Sequence, residues 1–188
     1  MTEQLPQEPF IDIDRALAIL DRTPLFGGLS DAQLCQIFFR LKKVDYRAND
    51  TIFHQGEPSS YIYVVLSGVV RLVFDVEDHP LVKQELLPGD CFGETSVIGI
   101  QSHSASTVVD QDAELMVLGK EDLMDIFAED KELFSQLILN IARETCRRLH
   151  ETDELLLQYI HQQSINVNQL PLPGMSIAAN NPLIARHG

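Results

Sequence analysis

No apolar run in this 188-residue chain approaches the ~20 residues that a bilayer-crossing helix needs. The first ten residues, MTEQLPQEPF, lack both the basic start and the apolar core of a signal peptide, so a cytoplasmic location is the default expectation. Cysteine is scarce: Cys35, Cys91 and Cys146 stand far apart, with no CxxC pair. The clustered ligands of a zinc or iron–sulfur centre are missing, which leaves the cysteines as reduced packing residues. Positive charge is scarce as well, with 14 Lys and Arg against 28 Asp and Glu and a formal net charge of −14. Phosphate backbones and anionic membranes are bound by clustered Lys and Arg, so neither nucleic acid nor membrane is expected as a partner. A small anionic ligand stays compatible with this charge, because it needs one local cationic or N–H-rich pocket.

Catalytic signatures are missing too. His54, His79, His150 and His161 form no i, i+4 pair on one helix, so no metal site is expected, and a haem ligand among them lacks support. Glu151, Asp153 and Glu154 read as a solvated helix face. No nucleophile–base pair and no phosphate loop of the P-loop kind is present. An enzyme is not expected, nor is a resident cofactor.

What the chain does contain is 45% apolar and 22% charged residues, the balance of a globular domain with a sizeable core. Residues 1–22 read as an N-terminal segment and helix, broken at Thr23-Pro24. A second helix should start at Ser30, where S-D-A-Q is a capping-box pattern, with Leu34, Ile37, Phe38 and Leu41 as its apolar face. From Val44 to about Leu118 the texture changes to short β-rich runs separated by turn residues, the pattern of a roll, sandwich or barrel. Ser67-Gly68, between two apolar runs, looks like a tight hairpin turn. KEDLMDIFAED then fits a short helix, which places one domain over residues 23–130.

Residues 131–163 fit a long helix. Ile138, Ala142, Thr145, Leu149, Thr152, Leu156 and Tyr159 recur along it at spacings of 4 and 3, an a/d seam of the kind that pairs two helices. A homodimer through this helix is expected; packing of the stripe on its own β-domain is the other reading. Residues 164–188, rich in Asn and Pro, read as a non-helical tail, extended or loosely docked.

The stretch that carries chemistry is Pro88-Gly89-Asp90-Cys91-Phe92-Gly93-Glu94, followed by His103-Ser104-Ala105-Ser106. Gly93 lets a backbone approach a ligand closely, a carboxylate follows, and small hydroxylated residues then run into a strand. Such a loop can offer N–H and O–H donors to an anion while the carboxylate accepts from a sugar hydroxyl. These residues, with the glycines at 56, 68 and 89 and the closing helices, resemble the cyclic-nucleotide-binding family over roughly residues 24–160. The resemblance implies a mainly β fold with flanking helices, a jelly-roll-like double-stranded β-helix plus a long C-terminal helix. It further implies a ligand site of Phe92, Gly93, Glu94, Thr95, His103, Ser104 and Ala105, with Glu94 on the ribose 2′-hydroxyl. Arg147-Arg148-Leu149 and Thr152 resemble the R-R-L-x-x-T of the family's bacterial activators. Arg148 is then a partner for Glu94, and Thr152 a contact to the base.

One departure matters. The family's phosphate motif, R-x-A followed by Ser or Thr, has His103 in place of its arginine. Arginine is always charged and grips phosphate with a bidentate fork, whereas a histidine of ordinary pKa (~6.5) is mostly neutral at pH 7. A cyclic phosphate beside it would favour the protonated form and make binding pH-dependent. Two readings follow. The first is a non-enzymatic sensor that binds a cyclic nucleotide, cAMP before cGMP, and signals to a protein partner. The second is a degenerate, ligand-free domain that serves as a protein-interaction module. Since residues 164–188 are too few for a helix-turn-helix module, no DNA-binding domain is expected here.

Overall fold

The computed structural model describes residues 13–74 and 81–162, except the side chains of Leu155 and residues 159–162. The 164–188 tail and the side chain of Tyr159 lie outside the described residues. Helix α1 (Ile13–Leu20), a 3₁₀ turn (Pro24–Phe26) and α2 (Asp31–Phe38) lead into the strands. Strands β1 (Lys42–Tyr46), β2 (Thr51–Phe53), β3 (Tyr61–Phe74), β4 (Leu81–Leu86) and β5 (Cys91–Phe92) come next. The short α3 (Glu94–Gly99), β6 (Ser106–Gly119), α4 (Lys120–Glu129) and the long α5 (Lys131–Gln162) complete the order. The capping box forms as expected: Ser30 N donates to Gln33 Oε1 at 3.0 Å, and Gln33 N donates back to Ser30 Oγ at 3.4 Å.

All strand pairs are antiparallel, in the order β1-β6-β3-β4, with β2 added to β6 and β5 to β3. Six strands are present among the described residues, fewer and longer than the short runs read along the chain. The difference lies in β3 and β6, each 14 residues long. They pair from Tyr61↔Gly119 to Val73↔Ser106 and bend at register shifts between Val65 and Val70. Ser67-Gly68 is therefore not a hairpin turn. It is a bulge in the middle of β3, which bends the strand without ending it. Gly68 has φ +84°, and a Cβ there would stand 2.3 Å from the Asp112 carbonyl oxygen; only glycine fits so close a strand crossing. The runs STVV and AELMVL, expected as separate strands, are likewise one bent strand, β6.

Two apolar clusters lie on opposite faces of these strands. Along β3, Ile62, Val64 and Leu66 join a helix-side core with Leu20, Phe26, Ile37, Leu123, Leu133 and Leu137. The alternate residues Tyr63 and Val65, with Val70 past the bulge, join Phe53, Phe92, Val109 and Leu115 inside the roll. This is the period-2 alternation of a strand buried on both sides. Polar groups in the helix-side core are bonded. Buried Asn140 donates from Nδ2 to the carbonyls of Leu25 (3.0 Å) and Gly27 (2.8 Å), carbonyls exposed by the tight 3₁₀ turn. On the sheet, Lys43 (2.6 Å) and Arg15 (2.5 Å) flank Glu114, and Ser67 donates to it at 3.0 Å. The Lys43 hydrogen bond, more than any other contact, holds the Glu114 carboxyl down at about 2.

Residues up to Cys146 form one compact unit, and Arg147 onward a second. The α5 residues buried in the protein are Leu133, Leu137, Asn140, Ile141 and Glu144. The expected seam runs along other positions: Ile138 is half-buried, and Ala142, Thr145, Leu149, Thr152 and Leu156 are exposed. The seam thus touches the helix-side core at Ile138 and is exposed at the five later positions described.

Candidate functional site

The site begins where β5 meets α3. Phe92 is paired with Tyr63 across the sheet and stacked on its ring, with centroids 4.8 Å apart and planes 7° apart. Both rings are 1% exposed and belong to the roll interior. The next residue, Gly93, has φ +84°, and a Cβ on it would come within 2.7 Å of the Tyr61 carbonyl oxygen. The absence of a side chain here serves a close approach of β3, the chain's own backbone, where sequence reasoning placed a ligand. Glu94 then opens α3 with its side chain 1% exposed, while Thr95 is exposed.

The second half of the site is the segment before β6. His103 N donates to the Glu57 carbonyl (2.9 Å), and Gly56 N donates to the His103 carbonyl (2.9 Å). Gln55 N donates to Ser106 Oγ at 2.9 Å. These bonds clasp residues 103–106 onto the turn between β2 and β3. The His103 ring consequently points into the protein. It lies flat on Phe53, with ring centroids 3.5 Å apart and planes 8° apart, and the residue is 5% exposed. Phe53 in turn touches Tyr63 (5.8 Å) and Phe92 (6.0 Å). Burial pushes the His103 imidazole below its ordinary value; the Glu57 carboxylate pulls the other way and is the weaker influence. At neutral pH the ring is uncharged.

Ala105 is buried and Ser104 exposed. Arg148 and Thr152 lie in the second unit, on α5, where the Thr152 hydroxyl donates to the Arg148 carbonyl at 2.8 Å. Within the first unit, the structure draws Phe92 and His103 into one aromatic wall and buries Glu94 nearby in sequence. Phe53 and Tyr63, the two residues that complete that wall, were not singled out from the sequence. Their signal was only that of apolar strand residues. The stack on His103 depends on the turn at residues 54–58, which no spacing rule reveals.

The description "cyclic nucleotide-binding domain" matches residues 43–130. Over these residues the chain is similar to the cyclic nucleotide-binding family. The CRP-like cAMP-activated global transcriptional regulator of Mycobacterium tuberculosis is 30% identical over 148 residues, covering 76% of this chain and 62% of that protein. Among solved structures, the Thermus thermophilus catabolite activator protein superposes with a TM-score of 0.64 at 32% identity, covering 73% of this chain and 63% of that one. A regulatory subunit of a cAMP-independent protein kinase A from Trypanosoma brucei shares the fold, with a TM-score of 0.62 at 19% identity, covering 75% of this chain and 51% of that one. It was solved as a triple mutant bound to cAMP in its A site. The chain spans about three-fifths of the length of the curated activators it matches. The mainly β roll with flanking helices and a long C-terminal helix is the architecture of this family. No described helix is long and apolar enough to cross a membrane.

Proposed function

We propose that this chain is a non-enzymatic, cytoplasmic regulatory module that acts on a protein partner, and that its β-roll works without a bound cyclic nucleotide. The observation that carries this reading is the His103 ring, stacked on Phe53, 5% exposed and held neutral by burial. A cyclic phosphate carries one negative charge. An arginine at this position would meet it with charge-assisted, bidentate hydrogen bonds, each charged contact contributing ~1.5–3 kcal/mol. A neutral imidazole offers one ordinary hydrogen bond, in the plane of its ring. Affinity therefore falls by roughly one to two orders of magnitude. Glu94, at 1% exposed, is equally withdrawn. The trypanosomal regulatory subunit is described as cAMP-independent, and one of the three substitutions in its cAMP-bound mutant introduces an arginine. The exposed α5 face of Ala142, Thr145, Leu149, Thr152 and Leu156 suits pairing with a second copy of the chain.

Calorimetry with cAMP and with cGMP tests the reading. No heat is expected from the wild type up to high micromolar nucleotide, whereas His103→Arg should begin to bind. Saturable wild-type binding at low micromolar nucleotide would overturn it. The second reading, a weak sensor for cAMP before cGMP, is favoured by the retained Gly93-Glu94 pair at the start of α3 and by Ser104, which stays exposed. On that reading the wild type binds weakly, Glu94→Ala abolishes binding and His103→Arg tightens it.

A further inference from the structure

A separate cleft of about 230 Å³ opens beside α3, walled by Pro58, Ser59, Ile100, Gln101, Ser102 and Lys120, with Ser96 at its side. It shares no lining residue with the aromatic wall or with Gly93, Glu94 and His103. Its chemistry is one-sided. Three serines, a glutamine and a lysine line it, and no acidic residue does. That composition stands out in a chain of net charge −14.

Two groups on this wall lack partners. The Ser59 hydroxyl oxygen is buried with no hydrogen-bond partner. Lys120 is exposed and has no carboxylate partner among the described residues. Leaving a buried hydroxyl unsatisfied is costly, and native structures avoid it unless something else supplies the bond. The wall is also held in shape. Lys120 N donates to the Ser60 carbonyl at 2.9 Å, Gln101 N to the Ser96 carbonyl at 3.1 Å, and Ser102 bridges to Pro58. At the rim, Ile100 takes φ +53° while 80% exposed, a backbone conformation that a β-branched residue adopts only under strain.

Donors of this kind, converging with one cation, match a ligand that presents several acceptor oxygens and negative charge. We propose that this cleft binds a small phosphate-bearing ligand, independently of the roll interior. The site does not require the roll to hold or to lack a cyclic nucleotide.

Titration of the ¹⁵N-labelled full chain with inorganic phosphate, against chloride at matched ionic strength, tests the proposal by NMR. Saturable shifts are expected at the amides of Ser59, Ile100, Gln101, Ser102 and Lys120, with a dissociation constant of about 1–10 mM, as suits one ion pair and a few hydrogen bonds. Lys120→Met should weaken binding roughly tenfold or more, an order consistent with losing one charge-assisted contact. Ser59→Ala should weaken it severalfold without lowering the thermal midpoint in phosphate-free buffer, because the removed hydroxyl has no partner there. Lys83→Met, on β4, should leave these shifts unchanged. Shifts that chloride reproduces, or that persist in Lys120→Met, would overturn the proposal. So would phosphate shifts centred on Gly93, Glu94 and His103, which would assign the ion to the roll.

Discussion

The two cores of this protein are built on different principles. The helix-side core is mainly aliphatic, and its buried polar groups are bonded: Asn140 to two carbonyls, and the Thr23 hydroxyl to the Ile19 carbonyl at 2.8 Å. Inside the roll, by contrast, three aromatic rings and a histidine pack in a row, Tyr63 stacked on Phe92 and His103 on Phe53, with Phe53 tilted against Phe92. Thr107 stands opposite Phe53 and Leu72, facing that interior, and its fully buried hydroxyl has no partner. A core optimised for stability alone would not keep an unsatisfied hydroxyl and a desolvated imidazole. The two interiors thus differ in polar satisfaction: the helix-side core bonds Asn140 and Thr23, and the roll interior leaves the Thr107 hydroxyl unbonded beside its packed rings.

Substitutions on each side can break or sharpen this contrast. The largest effect is expected from Phe92→Ala, which removes a ring packed on Tyr63 and Phe53 and should destabilise by about 3–5 kcal/mol in chemical denaturation. A loss below about 1 kcal/mol would mean the interior is loosely filled and the pocket more open than its packing implies. Leu137→Ala, in the helix-side core, should cost about 2–5 kcal/mol. Asn140→Ala leaves two carbonyls unpaired and should cost about 1–3 kcal/mol. If it costs nothing, the contrast in polar satisfaction fails.

Smaller effects probe the interior directly. The folded state holds the His103 pKa below its ordinary value, so below about pH 6.5 the unfolded chain takes up a proton that the folded one resists. Stability contributed by the neutral ring is present above that pH and lost as pH falls through it. Urea midpoints measured from pH 7.5 to 5.5 should therefore fall more for the wild type than for His103→Phe. Equal slopes would show that the ring is not desolvated. Thr107→Val should change stability by less than about 1 kcal/mol, with a gain the expected sign, because the hydroxyl it removes is unsatisfied. A clear loss would reveal a hydrogen bond in the roll interior and argue for a site still in use.

Much of the architecture was legible along the chain. The capping box at Ser30 is a local interaction over three residues, and the 3.6-residue period of α4 and α5 is equally local. The F-G-E stretch and the segment from His103 to Ser106 were legible as motifs. Strand boundaries were not legible. Ser67-Gly68 satisfies the local rule for a turn, but a bulge and a turn ask for the same residue types, and pairing along the whole of β6 decides between them. Gly93 shows the same limit: a glycine at φ +84° reports a close approach without naming what approaches. On α5, the spacing rule picked an apolar stripe correctly as a stripe, yet the stripe turned to the core is the other one, through Leu133, Leu137 and Ile141.

The sequence by itself determined the family's order of elements, the acidic charge and the substitution of histidine for the phosphate-binding arginine. These are properties of composition and local pattern, readable without knowing which residues meet. Only the tertiary structure decided what that histidine does. Its charge depends on desolvation by Phe53 and on the distance to Glu57, and its direction on a clasp formed by the 54–58 turn. Both join segments about 50 residues apart, where stacking and burial are set by the fold and no local period records them.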